Sequence, residues 1–424
     1  MEIYVVKNGD TLWQIARRYG LSVDRLSETN QLQNPSLLSV GQALLIPRED
    51  AVYTVRQGDT LWQIARRHGV PLACLIAANP QIADPNRIVP GQVLRIPLGG
   101  CERGEILVNG YISSAARAAL ETQLPYLSFL SPFSWRADAE GGLTKDYRMN
   151  EELAAQYGAA LLLTVTNLSA AGGFSGEIAH AIFRDEAVQE RFLQNLETAL
   201  CEGGYYGVNL DFEYVFPYDR EAYNRFLLRL SERLHSLGYL LVTALAPKSS
   251  DSQTGLLYSA HDYAAHGSAA DYVVLMTYEW GYTYGPAMAV APIDRVRQVL
   301  DYAVSVMPAG KLLLGVPNYG YDWTLPFRQG SAARVLSNTG AVTLAGQAGA
   351  AIRYDTRAQS PFFRYYDSEG REHEVWFEDA RSLRAKYALV EEYSLAGVSI
   401  WNLNSLFRTG LLLLESMYGV EKLI

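Results

Sequence analysis

Tyr206-Gly207-Val208-Asn209-Leu210-Asp211-Phe212-Glu213-Tyr214 is the stretch on which the reading of the whole chain turns. Its alternation predicts a buried strand, with Val208, Leu210 and Phe212 on one face and Asn209, Asp211 and Glu213 on the other. Same-face neighbours on a strand sit about 7 Å apart, so three polar groups line up and end in two carboxyls. Core packing gives no reason for that arrangement. Two carboxyls brought together raise the pKa of one of them, which suits an acid catalyst. The competing reading is a half-exposed edge strand with a polar face.

Outward from this strand, apolar runs alternate with amphipathic helical stretches from Glu105 onward. The strands are read as Ile106–Ile112, Tyr126–Phe133, Ala159–Thr166, Tyr206–Glu213, Leu240–Ala246, Tyr272–Tyr278, Leu312–Pro317 and Val398–Leu403. Helical patterns cover Glu186–Glu202, Asp219–Leu237, Ile293–Val306 and Glu378–Glu392. Near-continuous apolar strands between helices predict a parallel sheet covered by helices. Eight such units predict an α/β protein of the (β/α)8 barrel type. An open doubly wound sheet is the alternative, but no glycine-rich phosphate loop follows the first strand. Residues Thr324 to Trp376 break the rhythm and read as a small β-rich insertion between strands seven and eight, with a hairpin about Ser368-Glu369-Gly370. On the barrel's C-terminal face such an insertion forms one wall of a groove.

The first hundred residues repeat themselves. Asn8-Gly9-Asp10-Thr11-Leu12-Trp13-Gln14-Ile15-Ala16-Arg17-Arg18 returns as Gln57-Gly58-Asp59-Thr60-Leu61-Trp62-Gln63-Ile64-Ala65-Arg66-Arg67. Each copy continues with Asn30 or Asn79, a glycine (Gly41, Gly91) and a closing Ile-Pro. The pattern predicts a strand–helix–helix–strand unit with Asp10 or Thr11 as helix N-cap. Trp13 and Trp62 are read as core residues of the first helix. Both copies resemble the LysM module, which implies binding of N-acetylglucosamine polymers such as peptidoglycan or chitin. The loops so implicated carry Gly9, Asp10, Thr11 and Asn30 in the first copy, and Gly58, Asp59, Thr60 and Asn79 in the second. Two modules in tandem supply avidity on a repeating polymer. The expected domains are 1–48, 51–98, a glycine-bearing linker 99–104, and the barrel over 105–424.

Composition excludes several classes. Net charge is −9; residues 1–100 carry ten Lys/Arg and eight Asp/Glu, the rest 26 and 37, so no basic footprint for nucleic acid exists. No apolar run reaches the length of a membrane span, and the N-terminus is expected to carry no secretory signal. The three cysteines, Cys74, Cys101 and Cys201, show no disulfide or metal spacing and are expected to stay reduced, with Cys74 and Cys201 as small buried hydrophobes. The six histidines lack ligand spacing, so no metal and no cofactor are expected. The chain is expected to be a monomer.

Five strand ends carry residues fit for an amino-sugar pocket: Asn109-Gly110-Tyr111, then Asn209, Asp211 and Glu213, then Met276-Thr277-Tyr278-Glu279-Trp280, then Asn318-Tyr319, then Trp401-Asn402. This set resembles glycoside hydrolase family 18. The family's fourth-strand motif is Asp-Gly-x-Asp-x-Asp-x-Glu; here Gly207, Asp211 and Glu213 match, while Tyr206 and Asn209 replace aspartates. Two LysM modules before such a barrel resemble the cortical-fragment lytic enzymes of spore-forming bacteria. The resemblance implies a spore-associated N-acetylglucosaminidase acting on cortex peptidoglycan. It also implies substrate-assisted hydrolysis with retention, a known exception to the two-carboxylate scheme. Glu213 would be the acid/base, Asp211 would orient the acetamido N–H, and Tyr278 would hold its carbonyl. Trp401 would be the floor, with Tyr111, Asn209, Glu279, Trp280 and Asn318 as further substrate contacts. An Asn209 amide is expected to donate to Asp211 and keep it ionised. Muramic δ-lactam has its amide tied in a ring, so cleavage is expected after N-acetylglucosamine. A LysM-tethered chitinase is the alternative within the class, and a non-catalytic glycan-binding protein the alternative outside it.

Overall fold

A computed structural model describes the 424-residue chain except residues 49, 71, 83, 86, 98–103, 114–116 and 150. The expected linker falls outside the described residues but for Gly104.

Each N-terminal repeat is the expected small unit. In the first, Glu2–Val5 pairs antiparallel with Ala43–Ile46, and helices Leu12–Arg18 and Val23–Thr29 lie between. Thr11 is the N-cap, in a reciprocal capping box with Gln14 that satisfies two otherwise orphaned donors. The second copy repeats this with Thr60 and Gln63, and with strands Ala51–Thr54 and Val93–Ile96. Leu12, Ile15 and Ala16 fill the core, but Trp13 does not: it is 57% exposed, and Trp62 is 56% exposed. Each instead lies under an arginine one turn on, Arg17 and Arg66. The helix's second position faces away from the sheet, which overturns the core reading of both tryptophans.

The rest of the chain closes into a parallel barrel. Its strands are β1 (Glu105–Ile112), β2 (Phe129–Pro132), β3 (Ala160–Thr166), β4 (Gly207–Asp211), β5 (Leu240–Leu245), β6 (Tyr272–Leu275), β7 (Leu312–Pro317) and β8 (Gly397–Trp401). Neighbours pair in chain order, and β8 pairs with β1 to close the ring. Val208 and Leu210 of β4, and Phe212 just beyond its end, are fully buried against the outer helices. Each such side chain contributes about 2 kcal/mol. Asn209 faces the interior, where Tyr111, Phe129, Ala160 and Val242 form the inner layer. Close strand approach explains Gly207: a Cβ there would meet the Leu240 carbonyl oxygen at 2.4 Å.

The insertion is larger than expected. Five antiparallel strands run in the order Arg334–Leu336, Gly320–Thr324, Glu372–Trp376, Ser360–Tyr366, Arg353–Asp355. Helix Asn338–Gln347, not anticipated, covers this sheet through Ala341 and Ala345. The cysteine reading is corrected in two respects. Cys74 is disulfide-bonded, and Cys201 is exposed and free beside Tyr239.

Candidate active site

The interior face of β4 leads directly into the site. Regular pairing ends at Asp211, and Glu213 sits two residues beyond, where the chain turns. Asn167, at the end of β3, holds that turn from both sides: its Oδ1 accepts from the Glu213 N–H (2.9 Å) and its Nδ2 donates to the Glu213 carbonyl (2.7 Å). His261 holds it from behind. Its Nδ1 accepts from the Ala246 N–H (3.0 Å), which leaves the proton on Nε2, 3.0 Å from the Phe212 carbonyl oxygen. Burial pushes His261 down to about 4, so the ring is neutral at pH 7. Neither residue was singled out from the sequence. Asn167 follows the C-terminal end of a predicted strand, and the strand-end rule applied to β3 would have found it. His261 carries no such signal, because its partners are backbone groups.

The carboxyls open into a pocket lined by Tyr111, Asp211, Glu213, Pro247, Leu257, Met276, Tyr278, Glu279 and Trp401. Trp401 is braced edge-on by Tyr111 (5.2 Å between centroids) and Phe133 (4.9 Å). A second cavity lies between the first repeat and the barrel. Its carboxyls are already used, Glu378 by Lys386 and Asp379 as a helix cap, so the chemistry belongs to the barrel pocket.

Electrostatics sort the two carboxyls. Burial raises Asp211 to about 7. Burial, then the charges of Asp211 and Glu279, hold Glu213 well above the usual carboxylate range. Glu213 is therefore the proton carrier at neutral pH. Burial also keeps the Tyr278 phenol protonated. The expected Asn209–Asp211 hydrogen bond is absent. Asn209 Nδ2 donates to Tyr111 Oη (2.9 Å) and Ser131 Oγ (3.1 Å), across the barrel axis. Asp211 Oδ1 is buried with no partner, so Asp211 is not held ionised by Asn209.

Other expected contacts are spread out. Glu279 lies at the pocket rim with a left-handed backbone (φ 67°), and its carboxylate accepts from Tyr319 and Tyr321 (3.0 Å to the latter). Asn318 is spent behind the pocket, donating to the carbonyls of Asn402 and Ser405 at 2.8 Å each. Trp280 packs on the barrel core. In the repeats, Asp10 accepts from Tyr4 Oη and Lys7 N (2.7 Å each), and Asp59 likewise from Tyr53 and Arg56. Asn30 and Asn79 are buried and bridge a helix end to the last strand. Thr11 and Thr60 cap helices, and Gly9 and Gly58 take positive φ (85° and 84°). Those side chains shape the loops from within.

Among the described residues no three His, Cys, Asp or Glu side chains group to hold a metal ion, and no helix is long and apolar enough to cross a membrane.

Comparison with known proteins agrees with this geometry. Residues 153–405 match the sequence profile of Glycosyl hydrolases family 18, and residues 4–47 and 53–97 match the LysM domain. The chain is 42% identical to the cortical fragment-lytic enzyme of Bacillus subtilis (strain 168), over 100% of this chain and 99% of the relative. The crystal structure of the Bacillus megaterium QM B1551 spore cortex-lytic enzyme SleL superposes with a TM-score of 0.86 at 37% identity, covering 100% of this chain and 99% of that one. A chitinase from Chromobacterium violaceum ATCC 12472 superposes with a TM-score of 0.68 at 28% identity, covering 73% of this chain and 98% of that one.

Proposed function

The chain belongs to glycosyl hydrolase family 18 and is a glycoside hydrolase, and from that premise we propose that it is an N-acetylglucosaminidase of spore cortex peptidoglycan and its fragments. The observation that carries the reading is the buried, unpartnered Oδ1 of Asp211 in the pocket that Glu213 and Tyr278 also line. A buried acceptor without a donor implies that the donor arrives with the substrate. The 2-acetamido N–H of N-acetylglucosamine is such a donor.

The steps follow. Glu213 gives its proton to the glycosidic oxygen as the C1–O bond breaks. The acetamido carbonyl oxygen, held by the Tyr278 hydroxyl, bonds to C1 and forms an oxazolinium ion. Asp211 accepts from the acetamido N–H and balances the positive charge. Trp401 lies under the sugar ring. Glu213, now a carboxylate, takes a proton from water as the water oxygen attacks C1 and displaces the acetamido oxygen, which restores the acetamide and retains configuration. Because the acetamide must sit on the sugar whose C1 reacts, cleavage falls after N-acetylglucosamine and not after muramic δ-lactam. The two LysM modules tether the enzyme to the glycan, and the enzyme acts in the spore's outer layers.

Glu213→Gln is the test. Turnover of cortex fragments falls by about 10²-fold or more while binding to insoluble glycan survives. Persistent turnover removes Glu213 from its role. Reducing-end analysis on cortex fragments and chitin oligomers separates the proposal from a LysM-tethered chitinase, and substrates with free 2-amino groups resist cleavage if the acetamide is the nucleophile.

A further inference from the structure

The two repeats differ where their sheets face outward. Ile3 pairs with Leu45 on this face of the first, and Val52 pairs with Arg95 on the same face of the second. Leu45 is fully buried within the barrel's own hydrophobic core, with Ile3 packed on it. Val52 is 75% exposed, and Arg95 reaches out to Asp50. Gly41 is similarly committed: a Cβ there would lie 1.8 Å from the Ile352 carbonyl oxygen, whereas nothing approaches Gly91 within 4 Å. Backbone bonds complete the seam, with Ile352 N–H donating to Val40 O (2.8 Å) and Arg381 donating to Gly41 O (3.0 Å).

One residue of the first repeat reaches the barrel loop that follows Trp401. Gln31 has a left-handed backbone (φ 49°), a conformation that costs a non-glycine residue about 1 kcal/mol. Pro80 follows Asn79 at the matching point of the second repeat and cannot adopt it. The Gln31 carboxamide donates to Leu406 O (3.1 Å) and accepts from Arg408 N–H (2.6 Å), pairing with the barrel loop as a backbone amide would. That loop starts at Trp401 and is held at its near end by Asn318, through the Asn402 and Ser405 carbonyls.

We propose that the first LysM module is a built-in part of the catalytic body, with Gln31 a positioning residue that fixes the loop behind Trp401, and that free reach for glycan is left to the second module. The pocket floor then depends on a residue some 370 positions away in sequence. The proposal rests on Trp401 being the floor of the N-acetylglucosamine site.

The test uses the full chain and a soluble oligomer of cortex glycan. Gln31→Ala raises KM about five- to tenfold, the worth of one aromatic face, with kcat changed less. Gln31→Glu keeps the acceptor for Arg408 N–H and loses the donor to Leu406 O, so it falls between. Arg95→Leu in the second module leaves both constants unchanged. Amide exchange over 402–408 quickens in Gln31→Ala. If the variants lower only Tm, with KM and loop exchange as in the unaltered chain, the module is mere packing and the proposal fails. If the unaltered chain turns over no such oligomer, the substrate reading fails instead. Exchange over 402–408 then decides the clamp: quickened exchange supports it and unchanged exchange overturns it.

Discussion

Asp211 is a carboxyl whose buried oxygen waits for a partner, and that has a measurable cost to folding. Its pKa is raised by burial to about 7, above the value of 3.8 it returns to when unfolded. Below pH 3.8 both states hold the proton and the group is neutral to stability. Between the two values only the unfolded state ionises, so stability falls as pH rises and levels off above about 7. Asp211→Asn therefore raises Tm at pH 8 and leaves it nearly unchanged at pH 3.5, while abolishing turnover; equal Tm gains at both pH values sink the idea. In the rate profile Asp211 ionisation sets the acid limb and loss of the Glu213 proton the alkaline limb. Asn209→Asp places a third carboxyl beside Tyr111 and Ser131 and pushes the acid limb to higher pH, measured as kcat/KM against pH. The pair of carboxyls was legible from alternation alone. The Asn209 bond was not, because alternation gives a face and not a partner, and the partners on β1 and β2 lie across the barrel.

At the scale of elements, β4 delivers its chemistry only because neighbouring strand ends hold the turn that follows it. Asn167 and His261 replace the ladder bonds that Phe212 and Glu213 lose on leaving the sheet. Asn167→Ala orphans a buried N–H and a carbonyl, so it costs about 2 kcal/mol in stability and also lowers kcat, measured by urea unfolding beside steady-state kinetics. Asn167→Asp keeps the acceptor for Glu213 N–H but sets a carboxylate against the Glu213 carbonyl, and recovers little. All eight strands were readable as apolar runs; Leu312–Pro317 matches to the residue, and elsewhere some ends shift by one to three residues, as at β6, which stops at Leu275. Strand ends here are set by which carbonyls find partners in the next strand, and composition does not carry that. Helix Asn338–Gln347 escaped notice because Gly340 and Gly346 interrupt it and it has scarcely any apolar stripe. Tertiary packing against Phe363 and Val375 overrides its weak propensity.

Across the whole molecule, the repeats, the barrel and the insertion were visible in order along the chain, but not the way they join. Residues such as Leu45 and Arg381 look ordinary until a partner hundreds of positions away is in place. The join is concentrated in the turn Glu378–Ser382. The Glu378 N–H donates to Asn338 Oδ1 of the insertion (2.9 Å), Asp379 caps helix Ala380–Tyr393, and Arg381 reaches Gly41 in the first repeat. At its centre lies a salt bridge between Lys386 and Glu378 (2.8 Å), each side chain 1% exposed. Burial raises Glu378, and Lys386 pulls it back. Such a pair adds little net stability, but removing one partner leaves a buried charge and costs about 3–5 kcal/mol. Lys386→Met removes the ammonium and keeps the volume, so Glu378 must either stay charged without a partner or take a proton. Its folded pKa then moves further above the unfolded value, and the loss grows as pH rises from about 4.5. Unfolding by denaturant at pH 4.5 and pH 8 is expected to show a small loss at the first and a large one at the second. Lys386→Met with Glu378→Gln removes both charges and recovers most of the stability at pH 8. A pH-independent loss in the single variant would mean that packing, and not the stranded carboxylate, holds this junction.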